Sequence, residues 1–241
     1  AAPVVAVAAF PVAAVRRAAA VLRGAGRMTR RIKRLSGAEH ARIARAISDA
    51  EEKTSGEIYC VLARTSDPYL YPACLIVALA ILILGPFLAL ALRHWWISID
   101  PVVFAAAQLA AFAAAAALVV AFEGLRVALV PKALKYRRAH DNAQNQFFAH
   151  NIHVTEGRTG VLIFVSLAER YVEIVADHEI DACVDQSVWN EGVALMLDHA
   201  RRGTLADGFV ETVTYAGEVL SRHFPAGRRN SNEIADRLTE I

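Results

Sequence analysis

The sequence predicts an α/β layer fold with a small mixed sheet, interrupted by a two-helix transmembrane hairpin. Three observations lead there. Apolar residues make up 56% of the 241 residues, with a mean hydropathy of +0.34, above the ~45–50% of ordinary globular chains. The excess is concentrated in two uncharged windows, Pro68–Leu92 and Pro101–Phe122. Outside them, runs of β-forming residues are interleaved with segments of helical periodicity. Intrinsic disorder, a disulfide scaffold and a fully water-soluble domain are thereby excluded.

Residues 1–35 form an alanine-rich and then basic tail. In Ala1–Ala20 the arginines follow the apolar stretch, the reverse of a secretory signal. The first methionine is Met28, so residues 1–27 are expected to be upstream sequence with Met28 the start; the alternative is a weak extra membrane contact. The basic run Arg27–Arg34 suits anionic lipid headgroups, at about 1 kcal/mol per residue near the surface. Nucleic acid is not an expected partner, because the rest of the chain is nearly charge-balanced and the net charge is only +2.

Residues 36–66 are the first part of the soluble domain. Ser36 and Glu39 make a capping box. Behind it Ile43, Ala44, Ile47 and Ala50 recur at helical spacing until Thr54-Ser55-Gly56 stops the helix. Glu57–Arg64 reads as a strand.

The hairpin occupies 68–125, with spans at about 70–92 and 101–122. At 1.5 Å per residue, about 20 apolar residues cover the roughly 30 Å hydrocarbon core. The short connector Arg93–Asp100 carries Trp95 and Trp96, residues favoured at the membrane boundary. Pro86, after Gly85, is expected to kink the first span. Neither span contains an ionisable residue, and Gln108 is the strongly polar one; a proton or ion pathway is not expected. Arg16–Arg34 supplies eight basic residues and Arg126–Arg138 five, against Arg93 alone in the connector. The positive-inside rule then places the soluble domain and both termini in the cytoplasm. Cys60, Cys74 and Cys183 lack metal-finger spacing and are expected to be buried thiols of a reducing compartment.

Residues 136–241 complete the domain. Ala139–His150 is expected to be helical and Val161–Ser166 a strand buried on both faces. Leu167–Arg170 turns into a second, antiparallel strand, Tyr171–Ala176. Asp177–Asp185 is read as an acidic loop. The helix after it buries Trp189, Val193, Met196, Leu197 and Ala200 and stops at Gly203; a last helix, Asp207–His223, buries Phe209, Val213, Ala216 and Leu220.

Chemistry is sparse. In an extended loop, Asp177, Glu179 and Asp181 alternate and can converge on calcium or magnesium, with Asp185 beyond them. Such an ion would polarise a phosphoryl oxygen. The competing reading is a solvated loop that caps the next helix. Glu169 and Arg170 lie in the hairpin turn, as an ion pair, an exposed turn or ligand contacts. Glu57 opens the first strand beside Gly56, at a strand end where α/β folds bind ligands. His150 and His153 are spaced to share a metal, but no third ligand is evident. No phosphate-binding glycine loop, nucleophile elbow or HExxH motif occurs, so no catalytic residue and no certain cofactor is assigned.

Thr54–Ile58, Arg158–Asp177, the tryptophan helix, the glycine-containing helix ending in His223-Phe224-Pro225, and Asn232–Leu238 occur in order around the hairpin. In these motifs the chain resembles the TPM domain family, over roughly Ser36–Arg64 and Ala139–Ile241, and its bacterial membrane branch in particular. The resemblance implies a Rossmann-like α/β sandwich, anchored in the bacterial inner membrane and without a settled biochemical role. A plant thylakoid relative is credited with acid phosphatase activity, and an animal relative assists a receptor. The tryptophan–glycine motif of the soluble branch is absent, and Phe147, Phe148, His150 and His153 stand in its place. The expected function is a non-catalytic interaction module at the cytoplasmic membrane face, partnered by the bilayer and by a membrane protein or assembly. The alternative is a divalent-metal-dependent, acid phosphatase-like hydrolase.

Overall fold

The computed structural model describes residues 35–96, 100–155, 157–227 and 232–241. The basic run before residue 35 and the Met28 start lie outside the described residues. The described residues divide into two compact units: one takes in 35–62, Ala143–Val165 and Tyr171–Ile241, the other Ala63–Asn142 and Ser166–Arg170.

In the first unit, α1 (Gly37–Glu51) starts on the expected capping box: Glu39 N–H donates to Ser36 Oγ at 3.3 Å, and Ser36 N–H to Glu39 Oε2 at 2.6 Å. Its inward face is Ile43, Ile47 and Ala50. The sheet is built from β1 (Glu57–Ala63), β2 (Gly160–Ser166), β3 (Tyr171–Ala176) and β4 (Leu238–Glu240), in the order β3-β2-β1-β4. β1 and β2 are buried at every position, as central strands packed on both faces must be. They run parallel, since Glu57 N–H donates to Thr159 C=O and Leu167 N–H to Ala63 C=O. β3 returns antiparallel, Asp177 N–H closing on Gly160 C=O at 2.9 Å. β4 pairs parallel with β1, Cys60 opposite Leu238. The sheet is therefore mixed, as the sequence indicates.

Two long helices complete this unit. α7 (Gln186–Arg202) buries Trp189, Val193 and Met196 and ends at Gly203, whose φ of +80° is the left-handed conformation that glycine adopts without strain. α8 (Leu205–His223) buries Phe209, Val213, Ala216 and Leu220. Gly217 lets α8 approach α1, because a Cβ there would lie 2.6 Å from Ala50 Cβ. The expected acidic loop is corrected: residues 178–183 form a short helix, α6 (His178–Cys183), which Asp177 caps.

The second unit holds α2 (Leu70–His94), α3 (Pro101–Ala121), α4 (Glu123–Leu129) and the start of α5 (Lys132–Ala149), which begins earlier than its periodicity suggests. α2 and α3 have windows of mean hydropathy 2.9 and 2.2 and leave most of their apolar side chains exposed. At 1.5 Å per residue they extend about 37 and 31 Å, long and apolar enough to cross a membrane. Asp100 caps α3 through Val102 N–H at 2.8 Å, with Pro101 in the first turn. The two helices meet where Gln108 Nε2 donates to Ile81 C=O at 3.5 Å; a Cβ on Gly85 would lie 2.1 Å from that nitrogen. Tyr69, Ala73, Val119 and Val130 make a small core at the base of the pair.

Candidate functional site

In parallel α/β sheets the chain leaves the carboxyl ends of the strands as loops, and polar side chains collect there. Here β1 exits into Thr65-Ser66-Asp67 and β2 into the turn that carries Glu169. Glu169 is only 4% exposed. Its Oε1 accepts from Ser66 N–H at 3.0 Å and from Thr65 Oγ1 at 3.2 Å. Its Oε2 accepts from Ser166 Oγ, which in turn accepts from Ser66 Oγ at 2.9 Å. Asp67 Oδ1 accepts from Tyr69 N–H at 2.8 Å, and Asp67 Oδ2 faces Arg138 Nε at 3.4 Å. Burial, with the carboxylates of Glu169 and Asp67 beside it, holds the Tyr69 hydroxyl well above the usual tyrosine range. Burial, reinforced by Lys132, lowers the Lys135 ammonium.

This cluster joins the two strand exits to the residue from which α2 springs. Tyr69, at a φ of 52°, precedes α2 directly. Both oxygens of Glu169 are consumed by donors of this chain, so the carboxylate acts as a clasp. The expected turn is present, but Glu169 is buried rather than paired with Arg170, and Arg170 is exposed.

A second acidic group lies in the first unit. Glu51 Oε1 accepts from Ile58 N–H at 2.7 Å. Burial pushes its carboxyl up to about 9 against that hydrogen bond, and the charges of Glu57 and Asp236 add to the rise. Burial likewise raises Glu57, whose Oε2 accepts from Ile234 N–H at 3.2 Å. Glu57 thus anchors the segment leading into β4. Beside it a cavity of about 300 Å³ is lined by Tyr59, His150, Thr155, Glu233 and Arg237. The His150 ring lies against Tyr59 with centroids 4.4 Å apart, and burial with Arg237 lowers its pKa.

The residues expected to hold a cation are not brought together. Asp177 Oδ1 accepts from His178 N–H at 2.7 Å, and its other oxygen is buried without a hydrogen-bond partner. Glu179 and Asp181 are exposed on α6, where two positions turn the helix by about 200° and separate them. Asp185 caps α7 through Ser187 N–H at 2.8 Å, the bond that lowers its pKa. Among the described residues no group of three or more His, Cys, Asp or Glu is placed to hold a metal ion. The donor set thus does not fit calcium or magnesium. His153 packs on Phe148, centroids 5.2 Å apart, while His150 faces Tyr59.

Sequence reasoning did not single out Glu51, Ser66, Ser166 or Asp67. The usable signal was a carboxylate three residues after a serine that closes a wholly apolar strand, an arrangement suited to a local hydrogen bond.

Comparison with known proteins agrees with this architecture. Residues 122–219 match the sequence model of the TPM domain family. A TPM domain is present. The match includes Ser166 and Glu169 and stops short of the first strand, so it covers less of the chain than the motif resemblance does. The NMR structure of the BA42 protein from the psychrophilic bacterium Bizionia argentinensis shares the fold, with a TM-score of 0.54 at 19% identity over 89% of this chain and 100% of that one. No curated protein matches the sequence.

Proposed function

We propose that this protein is a membrane-anchored, non-catalytic interaction module: a TPM domain tethered by α2 and α3 in the bacterial inner membrane, with its soluble part and termini on the cytoplasmic side. One observation carries the non-catalytic reading. Three of the buried carboxylates are engaged in building the fold: Glu169 accepts from Ser66, Thr65 and Ser166, Glu51 from Ile58, and Glu57 from Ile234. The basic flanks and the single arginine of the connector support the orientation. The chain is read as four parts, with 1–35 a tail, 36–66 and 136–241 the two halves of the TPM domain, and 68–125 the anchor.

The test uses the full chain in native membranes, with a photo-crosslinker at position 237 beside the cavity. A reproducible adduct with one membrane protein or assembly is expected, and it survives Asp177→Asn. Purified protein is expected to hydrolyse no artificial phosphate ester across divalent ions and pH. A reporter fused after Ile241 is expected to be active in the cytoplasm; periplasmic activity would overturn the orientation.

The second reading, a phosphohydrolase, is favoured by the matched family model, which carries the word phosphatase in its name. It requires turnover that is lost in Asp177→Asn, and that result would displace the first reading.

A further inference from the structure

Residues 232–241 run across the first unit as a segment that ends in β4 and is pinned at separate points. β4 lines the outer edge of β1, with Cys60 opposite Leu238 and Leu62 opposite Glu240. Ile241 N–H donates to Leu62 C=O at 3.0 Å. Thr239 Oγ1 meets the Tyr59 hydroxyl at 2.6 Å, and Glu240 Oε1 lies 3.0 Å from His40 Nε2 on α1. Further back, Ile234 N–H donates to Glu57 Oε2 at 3.2 Å. Leu238 alone of these ten residues is buried. A segment that buries so little apolar surface opens well before the core does.

The acids of this segment are placed against acids of the domain. Burial is the main cause of the raised Glu51 carboxyl, and the charges of Glu57 and Asp236 and a side-chain hydrogen bond to Asp236 raise it further. Glu57 is raised by burial first and then by the charges of Glu233 and Asp236. The hydrogen bonds that lower the two carboxyls come from backbone N–H groups, of Ile58 for Glu51 and of Ile234 and Glu233 for Glu57. From β1, Cys60 also faces Glu51, whose charge adds to the burial that raises the thiol. α8 meets this end of α1 where Gly217 approaches Ala50, and its Asp207 is paired with Arg42 nearer the start of α1. Arg237, next to Asp236, acts on His150.

We infer that residues 232–241 form a proton-controlled strap: they seat on β1 and α1 while Glu51 is protonated, and lift when Glu51 ionises against Asp236 and Glu57. Seated, the strap keeps Asp236 against Glu51, and the carboxyl holds its proton up to about pH 9. Lifting takes Asp236 and Glu233 away and admits water, so the carboxyl returns towards its ordinary value of 4.5. Between those values the seated state holds a proton that the lifted state releases. Raising the pH therefore favours lifting, by up to about ten-fold per pH unit, and the linkage vanishes below and above that window. Glu57 acts in the same direction. A lifted strap leaves the outer edge of β1, with Leu62 C=O, unpaired. The strap lies within the first unit, so its behaviour does not depend on the membrane-anchored reading.

The experiment is hydrogen–deuterium exchange of the full chain in detergent between about pH 6 and pH 8, corrected for the chemical exchange rate at each pH. Amides of residues 238–241 are expected to lose protection as the pH rises, by up to about ten-fold per unit, with a weak response to urea. Those of β2 exchange through global unfolding and are expected to be far better protected and to respond steeply to urea. Glu51→Gln is expected to flatten most of the pH slope of the strap. Asp236→Asn, at a half-buried position, is expected to make it shallower and carries the comparison if Glu51→Gln does not fold. Tyr59→Phe removes one pin without touching the carboxyls, and is expected to lower protection by the same factor at every pH. Equal slopes in the wild-type, Glu51→Gln and Asp236→Asn proteins overturn the inference, as does a slope lost equally in Tyr59→Phe. Strap and β2 amides that share one rate and one urea response also overturn it, because the proton then leaves in global unfolding alone.

Discussion

Replacing Glu51 with glutamine tests whether a buried, protonated carboxyl sets the pH dependence of stability. Glu51 is 6% exposed and keeps its proton up to about pH 9, whereas in the unfolded chain it ionises near 4.5. Between those values the folded state holds a proton that the unfolded state has released. Raising the pH therefore favours unfolding, by at most about 1.4 kcal/mol per pH unit for this one group. Below the window both states are protonated, and above it both are ionised, so the slope vanishes at either end. From pH 6 to pH 8 the loss comes to at most about 3 kcal/mol, or roughly 6–12 °C in Tm for a chain of this size. Glutamine keeps an oxygen to accept from Ile58 N–H but carries no titrating proton, so the Glu51→Gln protein should lose most of this slope. Glu57, also raised by burial, leaves a residual slope of the same sign. The assay is thermal unfolding of the detergent-solubilised chain across pH, followed by fluorescence, to which the 2% exposed Trp189 contributes. Equal slopes for the wild-type and Glu51→Gln proteins would refute the argument.

Three further predictions follow from close contacts. Gly217→Ala drives a methyl group into Ala50 and is expected to destabilise the first unit by about 1–3 kcal/mol, read as a lowered Tm. Glu169→Ala leaves Ser66 N–H and Ser166 Oγ without their acceptor, at about 1–3 kcal/mol for each group left buried and unpaired; limited proteolysis is expected to cut between Thr65 and Tyr69 faster than in the wild-type chain. Gly85→Leu collides with Gln108 and should separate α2 from α3, so that a disulfide engineered across the wild-type pair no longer forms efficiently, whereas Gln108→Leu should cost only about 0.6 kcal/mol.

What could be read from the sequence was local in origin. The Ser36–Glu39 cap, the Ile43/Ile47 face, the apolar runs of β1 and β2 and the two long windows each carry their signal within a few turns of chain. β4 does not: three residues, Leu-Thr-Glu, become a strand because the edge of β1 offers them hydrogen bonds. α6 is too short to show a period, and its six residues are helical in the presence of the cap from Asp177. That helix removed the premise of a cation loop, since alternation brings side chains together only on extended backbone. Glu169 was legible as a turn residue but not as a buried one. Its burial depends on Thr65 and Ser66, donors that lie on the far side of the hairpin in sequence.

The pairing of β1 with β2 and β4 imposes an order on biogenesis. β1 is synthesised before the hairpin, yet both of its neighbours in the sheet are synthesised after it. In a chain anchored by α2 and α3, the apolar helices leave the ribosome while β1 still has no strand to pair with, and loop closure cannot begin until β2 follows. On the membrane-anchored reading, insertion of the two helices can therefore begin before the sheet is complete. On that reading, the order of the strands lets the nascent chain commit to a membrane before it commits to a fold.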